Sequence, residues 1–109
     1  MELHRHTNGF NDIVDITAEV AVAVKKDGLQ EGMAHLFVRG STAALTTIEH
    51  ESGAPADLLR ALDRIAPMHG HYAHNEAWRD GNGYAHLRAA LIQPDLCIPI
   101  ISGNISLGT

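Results

Sequence analysis

The stretch from Pro55 to Pro67 constrains the fold of this chain more than any other. Leu58, Ala61, Leu62 and Ile65 recur on one stripe at the helical period, and Asp57, Arg60, Asp63 and Arg64 lie away from it. Pro55 suits a first helical turn, and Pro67 marks the end. An amphipathic helix must bury its stripe against another layer, and the flanking sequence is rich in β-prone segments. Residues 34–39 are apolar and β-prone, Gly40 and Ser41 break the run, and residues 42–49 read as a second strand segment. Residues 96–101 and 104–107 read as two further strands joined by a hairpin turn at Ser102-Gly103. Residues 12–26 fit two patterns: Val20, Val22 and Val24 alternate as in a strand, whereas Thr17 offers an N-cap and Gly28 a stop. Taken as a helix, with a third helix over residues 85–92 carrying Leu87 and Leu91 at i and i+4, it completes a small α+β domain.

A chain of 109 residues supports one hydrophobic core, and neither repeats nor a linker divide it, so a single domain over residues 1–109 is expected. Apolar residues form 45% of the chain and charged residues 19%, proportions that fold rather than stay disordered. No apolar run approaches the roughly 20 residues that span a bilayer, and no apolar leader opens the chain, so membrane association is not expected and the cytoplasm is. Cys97, in an apolar stretch, reads as an inert core thiol. A net charge of -5 opposes a phosphate-neutralising surface and argues against nucleic acid as a partner.

Eight histidines turn attention to metal chemistry, because imidazole is the commonest metal ligand. Residues 67–85 form a long connection with Gly70, Gly81 and Gly83 and no apolar period, and such connections often carry function. Within or beside it lie His71, His74 and His86 with Asn75, Glu76, Asp80 and Asn82, nitrogen and oxygen groups that suit one divalent cation. No two of these histidines stand at i and i+4 on a secure helix, so solvated or capping roles compete with ligation; for His4, His6, His35 and His50 the plain role is favoured. Glu49 ends an expected strand and Asp57 opens the helix after it, which suits either to metal binding or general base work, against a dipole-favoured first-turn aspartate. Gly40-Ser41-Thr42 offers backbone and hydroxyl donors to a phosphate but lacks the full P-loop pattern.

Taken together, residues spread over nearly the whole chain resemble the YjbQ family, also called the secondary thiamine-phosphate synthase family. They are Asp12-Ile13-Val14-Asp15-Ile16-Thr17, Gly40-Ser41-Thr42-Ala43-Ala44, Glu49 with Asp57-Leu58-Leu59, and Ile65-Ala66-Pro67. Tyr72-Ala73-His74, Trp78, Gly81-Asn82-Gly83, His86-Leu87-Arg88-Ala89 and Leu107-Gly108-Thr109 complete the set. The resemblance implies a mixed, barrel-like sheet with two or three helices, a homotrimer with sites near subunit boundaries, and a functional cluster of His74, His86, Asn82, Asp57 and Glu49. Departures accompany it: Gly40 stands where the family commonly has His, Ile92-Gln93-Pro94 replaces Leu-Gly-Pro, and His50 replaces a frequent aromatic. The family's C-terminal strand region, which follows Leu-Gly-Thr, is absent here, so an open sheet edge is expected.

Two functions follow as expectations. One is weak, metal-assisted thiamine-phosphate synthase activity, joining a pyrimidine pyrophosphate to a thiazole phosphate with release of pyrophosphate. Glu49, Asp57 and Asn82 would serve catalysis, His74 and His86 a metal, and Ser41, Thr42 and Arg88 the phosphate. The alternative is binding of a metal or small phosphorylated metabolite without turnover. Zinc is the first expectation for the cation, with manganese or magnesium favoured by a carboxylate-rich shell.

Overall fold

The computed structural model describes residues 1–108; Thr109, which closes the Leu107-Gly108-Thr109 match, lies outside the described residues. Seven elements follow in the order α1 (Thr17–Asp27), β1 (Gly32–Phe37), α2 (Ala54–Ile65), α3 (Ala73–Trp78), α4 (Gly83–Ile92), β2 (Asp95–Ile101) and β3 (Asn104–Ile105). The strands form one sheet in the order β1-β2-β3, with Ile100 opposite Ile105 and Ile101 opposite Asn104 in the antiparallel β2-β3 pair. Among the described residues this sheet of three short strands is not closed. The described residues group into two compact units, one of residues 1–35 with 97–108 and one of residues 36–96.

In the first unit, helical geometry settles the alternating valines. Val20 and Val24, one turn apart, are buried, whereas Val22 between them is 66% exposed. Gly28 ends α1 in the left-handed region at φ 79°, its N–H shared between the carbonyls of Val24 and Lys25, as a helix stop requires. The start differs from expectation: Thr17 is the first helical residue rather than the cap, and its N–H is taken by Asp15 Oδ1 at 2.9 Å. α1 packs on β3, and along β2 the buried Ile98 and Ile100 alternate with exposed Pro99, Ile101 and Cys97, so Cys97 is not the core thiol expected: the period of two puts it on the outer face of the strand. The hairpin turn falls where expected, with positive φ at both Ser102 (49°) and Gly103 (73°), the combination that suits a two-residue hairpin. Two bonds tie that turn to residues before β1: Gly103 N–H to the Gln30 carbonyl and Ser102 N–H to Glu31 Oε1, each 2.9 Å.

In the second unit, α2 runs as the prolines dictate, from Ala54 with Pro55 in its first turn to the Ala66 cap before Pro67. Its stripe is only partly covered, Ile65 being 61% exposed. The start of α2 is held by a residue that the stripe did not reveal. The Glu51 carboxylate accepts the N–H groups of Ala54 and Gly53, and these bonds hold its pKa below the ordinary glutamate value near 4.5.

Three expectations fail in this unit. Residues 42–49 form no strand; Leu45 N–H reaches the Gln93 carbonyl at 3.1 Å, one bond rather than a ladder, and β-propensity without a partner strand makes no sheet. The long connection holds α3, and α4 begins at Gly83, two residues earlier than expected, so there are four helices rather than two or three among the described residues. The face of α4 is also rotated: Leu87 and Leu91 are exposed, and Tyr84, Arg88 and Ala89 are buried. Small Ala89 admits close packing, and Arg88 is drawn inward by the last carbonyl of α2: its Nε donates to Ala66 O at 2.9 Å, with the guanidinium carbon 5.0 Å from the Tyr84 ring centre.

Gln93 ends α4 at φ 92° and ψ 149°, where a glycine would sit without strain. Replacement by glycine relieves roughly 1–3 kcal/mol of backbone strain against up to about 1 kcal/mol of added chain entropy. Gln93→Gly is therefore expected to raise the unfolding free energy by about 1 kcal/mol in urea titration, and Gln93→Ala is not; equal stability of all three proteins would remove the strain argument. Because Glu51 has a lowered pKa when folded, its contribution is present above the ordinary range and lost as pH falls through the lowered value. Glu51→Gln should flatten the acid limb of a stability-against-pH curve below about pH 4.5 and leave its slope near neutrality unchanged.

Candidate functional site

Two helices that pack together carry the expected imidazoles, His74 in α3 and His86 in the first turn of α4. Arg79, at φ 58°, ends α3 in a left-handed turn, and the chain doubles back through Asp80 and Gly81 to Asn82, the cap of α4. The Asn82 carbonyl accepts the N–H groups of Ala85 at 2.9 Å and His86 at 3.2 Å, which fixes its backbone to the helix that bears His86. Close approach is permitted by Gly83: a Cβ there would stand 2.7 Å from Tyr72 Cβ and 2.9 Å from Asn75 Oδ1. Asn75 Oδ1 uses that space to accept the Gly83 N–H at 2.9 Å.

The outcome is a focus of lone pairs. The His74 and His86 rings meet edge to face with centres 4.4 Å apart, and His74 Nε2 lies 3.2 Å from Asp80 Oδ1. On its inner side the Asn82 amide meets Asp80 Oδ1 and His74 Nε2 at 2.9 Å, His86 Nε2 at 3.1 Å and Asp80 Oδ2 at 3.2 Å, and turning its NH2 inward gives the Asp80 carboxylate and His86 Nε2 a donor. On the far side of its ring, His86 Nδ1 is 2.9 Å from the Ser41 carbonyl. A carbonyl only accepts, so Nδ1 holds a proton, and in the neutral ring the Nε2 facing Asn82 is bare. Histidine ligands of metals are oriented by a second bond of this kind.

His86 also forms a wall of a cavity of ≈ 250 Å³ with Gly40, Ser41, Ala43, Ala89, Ala90 and Pro94. No charged side chain lines it, and the loop at 40–42 is exposed. The cavity therefore offers backbone and hydroxyl donors from Ser41 beside one imidazole, a setting for the oxygen atoms of a small ligand.

The expected residues divide between this place and others. His74, His86 and Asn82 come together, and Ser41 joins them through its carbonyl. Asp57 and Glu49 are not brought to the cluster by any ion pair or side-chain hydrogen bond among the described residues: the exposed Asp57 pairs with Arg60 on its own helix, and Glu49 is exposed. Asp80 is the carboxylate beside the imidazoles; the signal for it was its position two residues before a helix-capping asparagine. Arg88, 8% exposed, is engaged with Ala66, Tyr84 and, at 3.6 Å, Asp63, and Thr42 stands on the exposed loop. His71 instead pairs with Glu76 at 2.8 Å on the surface. Among the described residues, no three His, Cys, Asp or Glu side chains are arranged as a ready cage for a metal ion. No helix of the described residues is long and apolar enough to cross a membrane.

The family is shown by the whole chain. The YjbQ-like UPF0047 family model matches residues 1–109, and the chain belongs to that family. A UPF0047 protein of Methanothermobacter thermautotrophicus is 33% identical over 108 residues, 99% of this chain and 74% of that protein. One from Archaeoglobus fulgidus is 32% identical over 109 residues, 100% of this chain and 82% of that protein. Among solved structures, a YbjQ-like protein of unknown function from Sulfolobus solfataricus superposes with a TM-score of 0.88 at 31% identity, covering 95% of this chain and 75% of its own. An uncharacterised YjbQ/UPF0047 protein of Clostridium acetobutylicum gives a TM-score of 0.83 at 34% identity, covering 95% of this chain and 79% of its own.

Proposed function

We propose that this chain binds a divalent cation at His74, His86 and Asp80 and holds a small phosphorylated metabolite beside it, against Ser41 and Thr42. The observation that carries this is the convergence of two imidazole nitrogens and a carboxylate on one amide group at 2.9–3.2 Å. These donors fit zinc, which accepts imidazole and carboxylate together, with manganese or magnesium as the alternatives. When bound, the cation would neutralise charge on phosphoryl oxygens. The chain's own share is to fix the His86 ring through the Ser41 carbonyl and to offer donors from an uncharged cavity wall.

Thiamine-phosphate synthase chemistry, implied by the resemblance, is the reaction proposed for a catalytic form of this site. Binding without turnover is favoured by one observation. The Arg88 guanidinium, the cation expected at the leaving pyrophosphate, is buried against the end of α2. Assembly as a homotrimer belongs to the same proposal, and the exposed strand positions Met33, Cys97, Pro99 and Ile101 supply apolar surface that such an assembly would cover.

Zinc titration with competing chelator at neutral pH tests the site, on protein sized by sedimentation. His74→Ala and His86→Ala should each lower affinity by about tenfold or more, and His69→Ala should leave it unchanged. Wild-type affinity in the first two variants removes the site, equal loss in all three makes binding diffuse, and a stable monomer at micromolar concentration removes the trimer.

A further inference from the structure

The amide of Asn82 occupies the point on which the cluster converges, and a count of protons explains why it can. Around it stand the bare Nε2 of His86, both oxygens of Asp80 and Nε2 of His74. One NH2 group has two protons for four acceptor atoms. The network closes only if His74 Nε2 carries a proton for Asp80, 3.2 Å away, while the amide serves Asp80 and His86. An amide nitrogen thus performs the task of a small cation: it supplies positive charge density where lone pairs would otherwise repel one another.

Resting on the cation site proposed above, we infer that Asn82 is a built-in stand-in for the metal. Its NH2 holds the site together in the metal-free protein, and its Oδ1 turns inward as a ligand when a divalent cation enters. The geometry makes this change small. Asn82 is tied by its backbone to the start of α4, so its Cβ stays in place, and a half-turn about the last side-chain bond exchanges nitrogen for oxygen at the same position. The lone pairs of Asp80 and His86 that received its protons are then available to the ion, and that of His74 becomes available when its proton passes from Nε2 to solvent and the ring is reprotonated at Nδ1, with His86 still oriented by Ser41. No other side chain has to move aside, which explains how a cluster that is not a ready cage can still accept a cation. Asn82 is then a selectivity element too: the half-turn gives up the NH2 bonds to Asp80 and His86, which favours a divalent cation over sodium or potassium.

Asn82→Asp tests both halves, because it fixes an acceptor where the metal-free site needs a donor. In chelator, this variant should melt at least about 5 °C below wild type, since a carboxylate would face Asp80 across the distance now bridged by the amide. With zinc it should bind at least about tenfold more tightly than wild type and recover the lost melting temperature. Asn82→Ala should lose stability in chelator without gaining zinc affinity. In the wild-type protein, the Asn82 side-chain NH2 protons should exchange slowly in chelator and lose that protection at saturating zinc. An Asn82→Asp variant that melts like wild type in chelator overturns the donor role, and unaltered NH2 protection at saturating zinc overturns the half-turn. Failure of wild type to bind zinc removes the cation reading and the ligand role with it, while the metal-free melting comparison still decides the donor role.

Discussion

The bond from Gly83 N–H to Asn75 Oδ1 is the contact on which the site depends. It joins the middle of α3 to the first residue of α4 and occupies volume that any side chain at position 83 would need. With α3 and α4 brought together in this way, His74 and His86 project from adjacent helices and their rings meet at 4.4 Å. A buried polar bond contributes little net stability, of order 1 kcal/mol, but losing one partner strands the other. Its larger role is to set position: an error of about 1 Å between ligating groups is enough to weaken a site.

From that contact the chemistry is set by which atoms own protons. Ser41 supplies only an acceptor to His86 Nδ1, which leaves Nε2 without a proton on the side of Asn82. The loop at Ser41 therefore orients the imidazole and shares with it the wall of the cavity. Arg88 sits two residues along the same helix yet faces the opposite way, closing the end of α2. One helix thus divides its first turns between the site and the core.

The sequence was legible where a pattern is local. The stripe bounded by Pro55 and Pro67 became α2, Gly28 became the stop of α1, and Ser102-Gly103 became the hairpin turn, each because its backbone preference acts within a few residues. Failures occur where the outcome depends on a distant partner. Residues 42–49 have strand-like composition and no strand beside them. Leu87 and Leu91 have helical spacing, yet the turn of α4 was decided by Arg88 reaching Ala66, the cap of a different helix. The six residues of α3 are too few for a period to show. The same distinction separates the clustered residues: His74, His86, Asn82 and Asp80 all stood in one marked segment, whereas which carboxylate stands beside the imidazoles, Asp80 rather than Asp57, depended on how the chain doubles back after Arg79.

The protonation of His86 is the most direct measure of this account, since the bare Nε2 is what turns a polar cluster into a set of ligands. Nitrogen-15 NMR of histidine-labelled, metal-free protein at neutral pH reports each ring nitrogen separately. The expected result is a His86 ring with the proton on Nδ1 and none on Nε2, abolished as a distinct population only when the Ser41 loop is displaced. A His86 ring protonated mainly on Nε2 would contradict the account, because Ser41 would then not orient it and the site would have no lone pair to offer from α4.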